Sequence, residues 1–478
     1  MIWLLVAVCA VAAVPAGLRW LRVAQREHYL PGEVSTFAWR WWRSGPLNNL
    51  IDLAATVGVI GSLFSFWMAL LVPAAQIGPV GLTIRGVTSA LAWTDRLKRL
   101  ASVSGVVVMV PLVIGGLYNE PFLVVLPLYF LPLAIDISLW ALRPFEIRRG
   151  DQWVDRATAK LRSVGPDIVA ITGSYGKTTT KNYVAHLLAG SKRVVASPAS
   201  FNNRMGLARA INENLTPGTE VFVAEMGTYG IGEIAELCEW IPPRVGAITA
   251  IGPVHLERFG ALENIVRAKS EILDRAEVGV INTDGHLLGT LARDRRDRMR
   301  IIEVSADDVE APDGIFSGNL AVALAIGEAL GISREEMVSR IADLPTAEHR
   351  QSQVTAGGGF TIIDDTFNSN PDGARSALGK LTTTSPGGKT AVITPGMVEL
   401  GRVQASENES FAALASQQVD HLIIVGRTNR KALLRGSTKG EASVTVVDTR
   451  DEAVAWAKEN LGPGDVVLYE NDLPDHYP

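Results

Sequence analysis

The sequence predicts an α/β protein behind a membrane-spanning N-terminal region, and three observations lead to this prediction. First, a buried-strand pattern, a glycine-containing turn and a helix start follow one another at residues 168–181. Second, β-branched runs alternate with helical patterns over the last two thirds of the chain, which indicates a mostly parallel sheet covered on both faces. Third, long uncharged apolar runs fill the first third.

Composition excludes several classes of protein. The formal net charge of −5 over 478 residues gives no indication of nucleic-acid binding. The two cysteines, Cys9 and Cys238, lie far apart in an apolar run and a helical pattern, so a disulfide or zinc framework is not expected. The length leaves room for two or three domains.

The first third contains apolar runs that predict membrane spans, because a span needs roughly 20 apolar residues. The runs are 1–18, 50–72, 103–117 and 121–142. The first lacks a basic leading segment and a clear cleavage site, so it is interpreted as an anchor. Residues 1–142 are therefore assigned four spans, with a fifth crossing or re-entrant piece near 80–93 left open.

That fifth element would solve a problem of topology. If the chain crosses four times and the C-terminal part is cytoplasmic, the segment 19–43 falls outside despite its five arginines. Asp136, inside the last apolar run, is expected to reach the lipid headgroups. Beyond it, residues 143–163 predict a short amphipathic linker helix whose Trp153, Ala157 and Leu161 pack on the globular part.

The turn after the strand 168–172 predicts a phosphate cradle. Glycines let backbone N–H groups approach an anion, and the helix N-terminus carries partial positive charge. Lys177 can reach the β- and γ-phosphates, and the Thr178 hydroxyl is placed to bind Mg²⁺. The spacing G-x-x-G-K-T is shorter than that of the common P-loop. The predicted nucleotide-binding residues here are Gly173, Ser174, Tyr175, Gly176, Lys177, Thr178 and Thr179.

Further strands are predicted at 193–196, 220–227, 245–251 and 278–282. Glu225 lies at the end of the second of these, where an α/β sheet presents its functional groups, and is a candidate Mg²⁺ ligand. A hairpin at 350–365 then opens a second, smaller α/β domain of Rossmann-like pattern. Its later strands are predicted at 389–394, 422–425, 444–447 and 466–469.

Eight motifs in a fixed order make this chain resemble the Mur ligase family, and within it the MurF enzymes. The motifs are 172–181, 201–206, 225–227, 255–257, 268–272, 282–284, 349–350 and 364–371. The resemblance implies a central ATP-binding domain at 164–348 and a C-terminal domain at 349–478. It also implies a bacterial, ATP-dependent carbon–nitrogen ligase: a substrate carboxylate attacks the γ-phosphate, and an amine displaces phosphate from the acyl phosphate.

The resemblance further implies roles for single residues. Lys177, His255, Lys269 and Arg350 would be catalytic. Thr178 and Glu225 would hold one Mg²⁺, His255 would serve a second, and Lys269 matches a lysine that the family carbamylates. Nucleotide contacts are implied for Asn203, Asn282 (adenine), Arg350 (γ-phosphate), Asp365 and Asn368.

The chain departs from MurF at both ends. Apolar runs stand where MurF carries the domain for its UDP-sugar, which suggests a membrane-held acid, such as a lipid-linked one, in cell-envelope synthesis. An anchor for an enzyme with a soluble acid is the alternative. The C-terminus lacks the Lys-Gly-Ser-Arg stretch and ends in an acidic tail with Glu470, Asp472 and Asp475. This puts D-alanyl-D-alanine in doubt as the amine, and a solvated tail is expected.

Two other interpretations remain open. One is a ligase like the polyglutamate synthases of the same superfamily, acting on a soluble acid. The other is a membrane scaffold or transport component that uses the ATP fold as a switch. The expected location is the plasma membrane with the catalytic domains in the cytoplasm, and the expected partners are ATP, an acid, an amino acid or dipeptide, and the membrane.

Overall fold

A computed structural model describes residues 1–84, 91–312, 314–344, 352–356, 358–366, 369–384, 387–473 and 477. The N-terminal region consists of helices, and a helix satisfies the backbone hydrogen bonds of a long apolar run within the run itself. The helices are α1 (Ile2–Arg26), α2 (Glu33–Trp42), α3 (Pro46–Gly61), α4 (Leu71–Ala75), α5 (Asp95–Leu117), α6 (Pro121–Tyr129) and α7 (Leu131–Val164).

The arrangement of the apolar runs differs from the predicted four spans. By length and composition, α1 and α5 could each cross a membrane, and α6 with α7, bent by 70°, could form a third crossing. The run 50–72 is not one helix: α3 ends at Gly61, and the short apolar helix Phe66–Ala75 follows after a turn. Of the proposed fifth element, the described residues 80–84 and 91–93 are not helical, and the rest lies outside the described residues.

The linker predicted at 143–163 is the second half of α7 rather than a helix of its own. Val154, Ala157 and Leu161 on this half are buried in the core of the central domain. One helix therefore joins the apolar region to the catalytic part without a break, which limits how freely the two can move relative to each other.

Asp136 does not reach toward headgroups, contrary to the expectation. Its carboxylate is buried and accepts hydrogen bonds from the backbone N–H groups of Gly32 (2.8 Å), Val34 (3.3 Å) and Ser35 (2.8 Å), and from the Ser35 hydroxyl (2.5 Å). The first N–H groups of a helix have no partner within the helix, and a carboxylate is a strong acceptor for them. Asp136 of α7 thus caps the N-terminus of α2.

We expect Asp136→Ala to destabilise the N-terminal region by about 1–3 kcal/mol, because it leaves buried N–H groups of α2 without an acceptor. Thermal unfolding in detergent and hydrogen exchange of the α2 amides measure the effect. Asp136→Asn keeps one oxygen acceptor, so its stability should fall between those of the wild type and of Asp136→Ala. Glu120→Ala is the acidic surface control. Unchanged exchange in α2 of the alanine variant would contradict this role.

The central domain is built around a six-stranded parallel sheet in the order β2-β3-β1-β4-β5-β6. The four inner strands of this sheet are almost entirely buried and rich in β-branched residues, as expected of a parallel sheet. The strands are β1 (Asp167–Thr172), β2 (Val194–Ala196), β3 (Val221–Glu225), β4 (Val245–Ile248), β5 (Val278–Asn282) and β6 (Arg300–Val304). The helices are α8 (Lys177–Leu188), α9 (Arg204–Asn214), α10 (Glu233–Trp240), α11 (Leu256–Phe259), α12 (Leu262–Ser270), α13 (His286–Arg295), α14 (Ser317–Ala329) and α15 (Arg334–Val338).

The C-terminal domain contains a second sheet in the order β11-β10-β9-β12-β8-β7, in which β7 is antiparallel to β8 and the remaining pairs are parallel. The strands are β7 (Ser352–Thr355), β8 (Thr361–Asp365), β9 (Thr390–Thr394), β10 (His421–Val425), β11 (Ser443–Val447) and β12 (Val466–Glu470). The helices are α16 (Pro371–Thr384), α17 (Gln404–Gln418), α18 (Arg430–Ser437) and α19 (Arg450–Asn460). The predicted α/β class and hairpin are confirmed.

Candidate functional site

The phosphate loop connects β1 to α8, as the sequence predicted. Gly173 has φ 156° and Gly176 has φ 76°, a backbone range that favours glycine. A Cβ on Gly173 would collide with the Thr249 hydroxyl, and one on Gly176 with the Asn319 side chain. The loop therefore requires glycine at both positions, and it leads directly into the N-terminus of α8, where an anion is favoured.

Lys177 and Thr178, the first two residues of α8, face the inside of this loop. The Lys177 ammonium donates to the carbonyl oxygens of Gly173 (2.8 Å) and Ser174 (3.3 Å). The Thr178 hydroxyl donates to Glu225 Oε2 at 2.9 Å. Glu225 reaches this position because β3 pairs with β1 in a register that sets Ile171 opposite Glu225 at the carboxyl ends of the strands.

Two further residues bind the Glu225 carboxylate and were not predicted from the sequence. Lys181, also buried, lies 3.4 Å from Glu225 Oε2, and Asn202 donates to Oε1 at 3.2 Å. Burial lowers the pKa of Lys181, and the nearby Glu225 opposes this shift. The predicted nucleotide contact Asn203 instead accepts a hydrogen bond from Gly206 N–H at 2.9 Å and caps α9.

The paired oxygens of Thr178 and Glu225 fit one Mg²⁺. Magnesium prefers oxygen ligands and usually retains waters and substrate phosphates, so one hydroxyl and one carboxylate beside a phosphate loop are a sufficient protein contribution. Among the described residues, no group of three or more His, Cys, Asp or Glu side chains could hold a metal ion.

Lys269, at the end of α12, is buried and lies near Lys177. Burial lowers the pKa of Lys269 well below its usual value, and the positive charge of Lys177 lowers it further. In the described part of the chain no carboxylate forms an ion pair with it. Both effects favour the neutral, nucleophilic form of the amine, which is the form that carbamylation requires.

His255 precedes α11 with φ 58° and is placed against the C-terminal domain. Its Nδ1 contacts the carboxylate of Glu399, and Glu257 N–H donates to the Glu399 carbonyl at 3.3 Å. The ring also meets Tyr229 edge-on, with ring centroids 5.0 Å apart. The structure thus brings His255 to a junction of the two catalytic domains, and its service to a second Mg²⁺ stays a prediction.

Two of the remaining predicted nucleotide residues, Asn282 and Asp365, lie at strand ends. Asn282 closes β5 and accepts from Asp284 N–H at 2.9 Å, while Asp365 closes β8 and accepts from Asn471 N–H through its carbonyl at 3.1 Å. Arg350 and Asn368 lie outside the described residues. Tyr175 is partly buried in the loop with its hydroxyl buried, and burial raises the pKa of its phenol, with Asp372 and Glu407 of the C-terminal domain adding to the shift.

Glu470 is fully buried at the end of β12, contrary to the solvated tail expected there. Its carboxylate accepts hydrogen bonds from the hydroxyls of Ser369 and Thr394. Burial raises the pKa of Glu470 to about 7; the two hydroxyl donors oppose this shift and the charge of Asp365 adds to it. Asp472 pairs with Arg450 at 2.5 Å, and Asp475 lies outside the described residues.

The raised pKa of Glu470 predicts a stability that depends on pH. The folded chain holds this proton up to about pH 7, whereas the unfolded chain releases it at about pH 4.3, so stability falls as pH rises between these values, by at most about 4 kcal/mol. Glu470→Gln should therefore unfold at a higher temperature than the wild type at about pH 8, with the gap closing toward about pH 5. Glu459→Gln, on the exposed face of α19, is the control; a gap independent of pH would contradict the assignment.

A cavity of about 240 Å³, here named the strand-end cavity, opens at the carboxyl edge of the second sheet. Parallel sheets bind ligands at this edge. Its walls come from strand ends, from the Arg450–Asp472 pair and, unexpectedly, from the N-terminal region. The residues that line it include Gly81, Thr83, Thr366, Arg450, Asn471 and Asp472.

The N-terminal region also contacts the central domain next to His255. Arg258 pairs with the buried Glu27 of the α1–α2 connection at 2.8 Å, and Arg40 of α2 pairs with Glu257 at 3.1 Å. The Tyr229 hydroxyl lies 3.2 Å from His28 Nε2. Sequence patterns could not indicate these contacts, since their partners lie more than 200 positions apart.

Two family models match the catalytic part of the chain. Residues 171–322 match the Mur ligase middle domain, and residues 349–469 match the model described as Mur ligase, glutamate ligase domain. These matches leave the N-terminal helical region outside the family resemblance.

Curated relatives agree with the models. The chain is 30% identical over 371 residues to the UDP-N-acetylmuramoyl-tripeptide–D-alanyl-D-alanine ligase of Mycobacterium leprae, covering 65% of this chain and 72% of the relative. It is 26% identical to the enzyme of that name from Bacillus subtilis, covering 66% of this chain and 75% of the relative.

Solved structures show the same fold. MurF from Acinetobacter baumannii superposes with a TM-score of 0.60 at 23% identity, over 68% of this chain and 77% of that one. MurF from Thermotoga maritima in complex with ADP gives 0.57 at 24% identity, over 68% and 80%. On the identity and coverage of the relatives, with the fold in agreement, the chain belongs to the Mur ligase family of ATP-dependent ligases.

Proposed function

We propose that this protein is a membrane-integrated ligase that joins a carboxylic acid to an amino acid or dipeptide through an acyl phosphate. The observation that carries the proposal is the contact of Thr178 with Glu225 inside the phosphate loop, beside the buried amine of Lys269. A nucleotide switch needs the loop and its Mg²⁺ ligands, but it has no use for a buried lysine whose pKa is lowered in this way at the same place. The scaffold interpretation therefore has less support.

Each of these residues has a defined task in such a reaction. Lys177 neutralises charge on the transferring phosphoryl group, which is the main demand of phosphoryl transfer on a protein. Thr178 and Glu225 would hold Mg²⁺, which bridges phosphate oxygens and neutralises developing charge. Lys269, once carbamylated, would add a carboxylate to support the metal. His255 and Glu399 join the two catalytic domains, so that domain closure excludes water from the acyl phosphate.

The strand-end cavity is the proposed site of the amine. The Arg450–Asp472 pair offers one positive and one negative group at its wall, which a zwitterionic amino acid or dipeptide could replace with its own carboxylate and ammonium. Relatives are named as ligases of D-alanyl-D-alanine, which has this charge pattern, so that dipeptide is the first amine to test. A single D-amino acid is the second.

The acid is proposed to be held by the membrane. The N-terminal region supplies Gly81 and Thr83 to the strand-end cavity and contacts the loop that carries His255. A membrane region used only as an anchor would not need contacts so close to His255. The soluble UDP-linked muramoyl tripeptide, the acid in the names of the relatives, is the alternative substrate.

The test measures phosphate release from Mg·ATP by the full chain in detergent. Membrane lipid extract or the UDP-linked tripeptide is supplied as acid, each with and without D-alanyl-D-alanine or pooled amino acids. We expect release that requires the lipid extract and an amine together, and an amide product of matching mass. Lys177→Ala serves as the blank.

Other outcomes separate the alternatives. Release that requires the soluble tripeptide reduces the N-terminal region to an anchor while leaving the ligase intact. Release that needs no acid or amine contradicts the ligase proposal and favours a switch. Recovery of the protein in the soluble fraction after an alkaline carbonate wash contradicts membrane integration, whichever acid is used.

A further inference from the structure

The helices α3 and α4 form an antiparallel hairpin, here named the 46–75 hairpin. A Cβ on Gly58 would lie 2.8 Å from Leu71 Cβ, and one on Gly61 would lie 2.8 Å from Met68 Cβ. Both glycines lie on α3, and they allow the limb that follows the turn at 62–65 to pack closely against α3. Such close approach through small residues is typical of helix pairs inside membranes.

Both ends of the 46–75 hairpin lie at the same level. Asn48 donates to Val80 O at 3.2 Å and accepts from Val80 N–H at 2.7 Å, so the chain before the hairpin meets the chain after it. Arg19 of α1 donates to the carbonyl of Gln76 at 3.0 Å. These contacts hold residues 76–84 in place, and this segment reaches the strand-end cavity.

That level is the side of the catalytic domains. Arg96, at the start of α5, stacks on Tyr29, and Arg99 pairs with Glu146 on α7 at 2.8 Å. The start of α1 and the end of α5 lie together at the other level, because a Cβ on Gly116 would lie 3.2 Å from the Trp3 ring. Helices α1 and α5 therefore run between two levels, whereas the 46–75 hairpin starts and ends at one of them.

The return limb is too short to cross a bilayer. The helix Phe66–Ala75 has 10 residues and spans about 15–20 Å, against a hydrocarbon core of about 30 Å. Its turn nevertheless exposes large apolar side chains, with Phe64 85% and Trp67 68% exposed. Exposed apolar surface at such a tip fits hydrocarbon rather than water.

We propose that the 46–75 hairpin is a re-entrant element that enters the leaflet on the catalytic side and leaves on the same side. The chain then crosses three times, through α1, α5 and the bent pair α6–α7, with the start of α1 on the far side. This inference rests on the proposed membrane integration but not on the ligase reaction.

Charge supports this topology. The turn between α5 and α6, Tyr118-Asn119-Glu120, is the connection left on the far side and has no basic residue. Among the residues that the structure describes, the arginines near the apolar helices all fall on the catalytic side, where the positive-inside rule expects them if that side is cytoplasmic. They are Arg19, Arg22, Arg26, Arg40, Arg43, Arg96, Arg99, Arg143, Arg148 and Arg149. The conflict that four crossings created for 19–43 no longer exists.

The test labels single added cysteines in intact cells with a membrane-impermeant maleimide, before and after permeabilisation. The native Cys9 and Cys238 are buried and serve as the background. Ile77→Cys, at a position 72% exposed just after the hairpin, should react only after permeabilisation. Tyr118→Cys, 73% exposed in the α5–α6 turn, should react in intact cells and is the matched control.

Leu47→Cys, on the other flank, should behave like Ile77→Cys, so the result does not depend on one variant. Each variant must retain the gel-filtration profile of the wild type. Labelling of Ile77→Cys or Leu47→Cys in intact cells would mean a crossing and overturn the proposal, as would failure of both to react after permeabilisation. If the chain itself leaves the membrane in alkaline carbonate, membrane integration has failed, which is a separate result.

Discussion

Replacing Lys177 with alanine is expected to lower the rate of ATP-dependent turnover by about a hundred- to a thousandfold, the usual cost of removing one charge-stabilising donor from a reacting centre. The ammonium lies inside the phosphate loop, 2.8 Å from the Gly173 carbonyl oxygen, at the N-terminus of α8, where we propose that the γ-phosphate binds. Without it, negative charge that develops on the phosphoryl group has no counter-charge from this side.

The control for this variant is Lys431→Ala, which removes an exposed lysine on α18 and should leave the rate unchanged. Lys177→Arg keeps the charge but changes its shape, and it should recover only part of the activity. Phosphate release and binding of a fluorescent ATP analogue are measured together. A Lys177→Ala enzyme that turns over at the wild-type rate would show that the loop is not the catalytic nucleotide site.

The second large effect is expected at Lys269. Burial and the neighbouring Lys177 lower the pKa of its amine, which favours the neutral form that adds CO₂. Lys269→Ala should lose at least about a hundredfold in rate, and small carboxylic acids such as acetate or formate should restore part of it by supplying the missing carboxylate.

Lys269→Arg is the sharper variant, because arginine keeps a positive charge but cannot form a carbamate at neutral pH. We expect it to be as inactive as the alanine variant. A carbamate resonance in ¹³C spectra of wild-type enzyme supplied with labelled bicarbonate, and its absence in both variants, is a readout independent of turnover. Carbamylation would be ruled out if the Lys269→Arg enzyme is active and the wild type shows no carbamate resonance.

The sequence predicted the phosphate loop well because its residues are consecutive and each has a separate physical reason. The strands that flank it are also predictable, since their apolar runs are uninterrupted. Strand β6 (Arg300–Val304) was missed, because it lies at the edge of the sheet and carries Arg300 and Glu303 within a charged stretch. An edge strand needs fewer apolar residues and so gives a weak pattern.

Other features depend on partners distant in sequence. Asp136 caps α2, which lies about a hundred positions away in sequence, and Glu225 at the end of β3 contacts Lys181 of α8. Composition alone also could not show that the apolar run 50–72 breaks after Gly61, because a hairpin and a span contain the same kinds of residues. Hydropathy measures preference for hydrocarbon, and does not show on which side a helix ends.

The most direct test of the central claim is a search for the acyl phosphate. The full chain is incubated with Mg·ATP, hydroxylamine and either lipid extract or the UDP-linked tripeptide, with no other amine. Hydroxylamine attacks an acyl phosphate and leaves a hydroxamate of the acid, which mass spectrometry identifies. The account predicts a hydroxamate that requires ATP and is absent with Lys177→Ala. Phosphate release that depends on acid and amine but never yields a hydroxamate would contradict it.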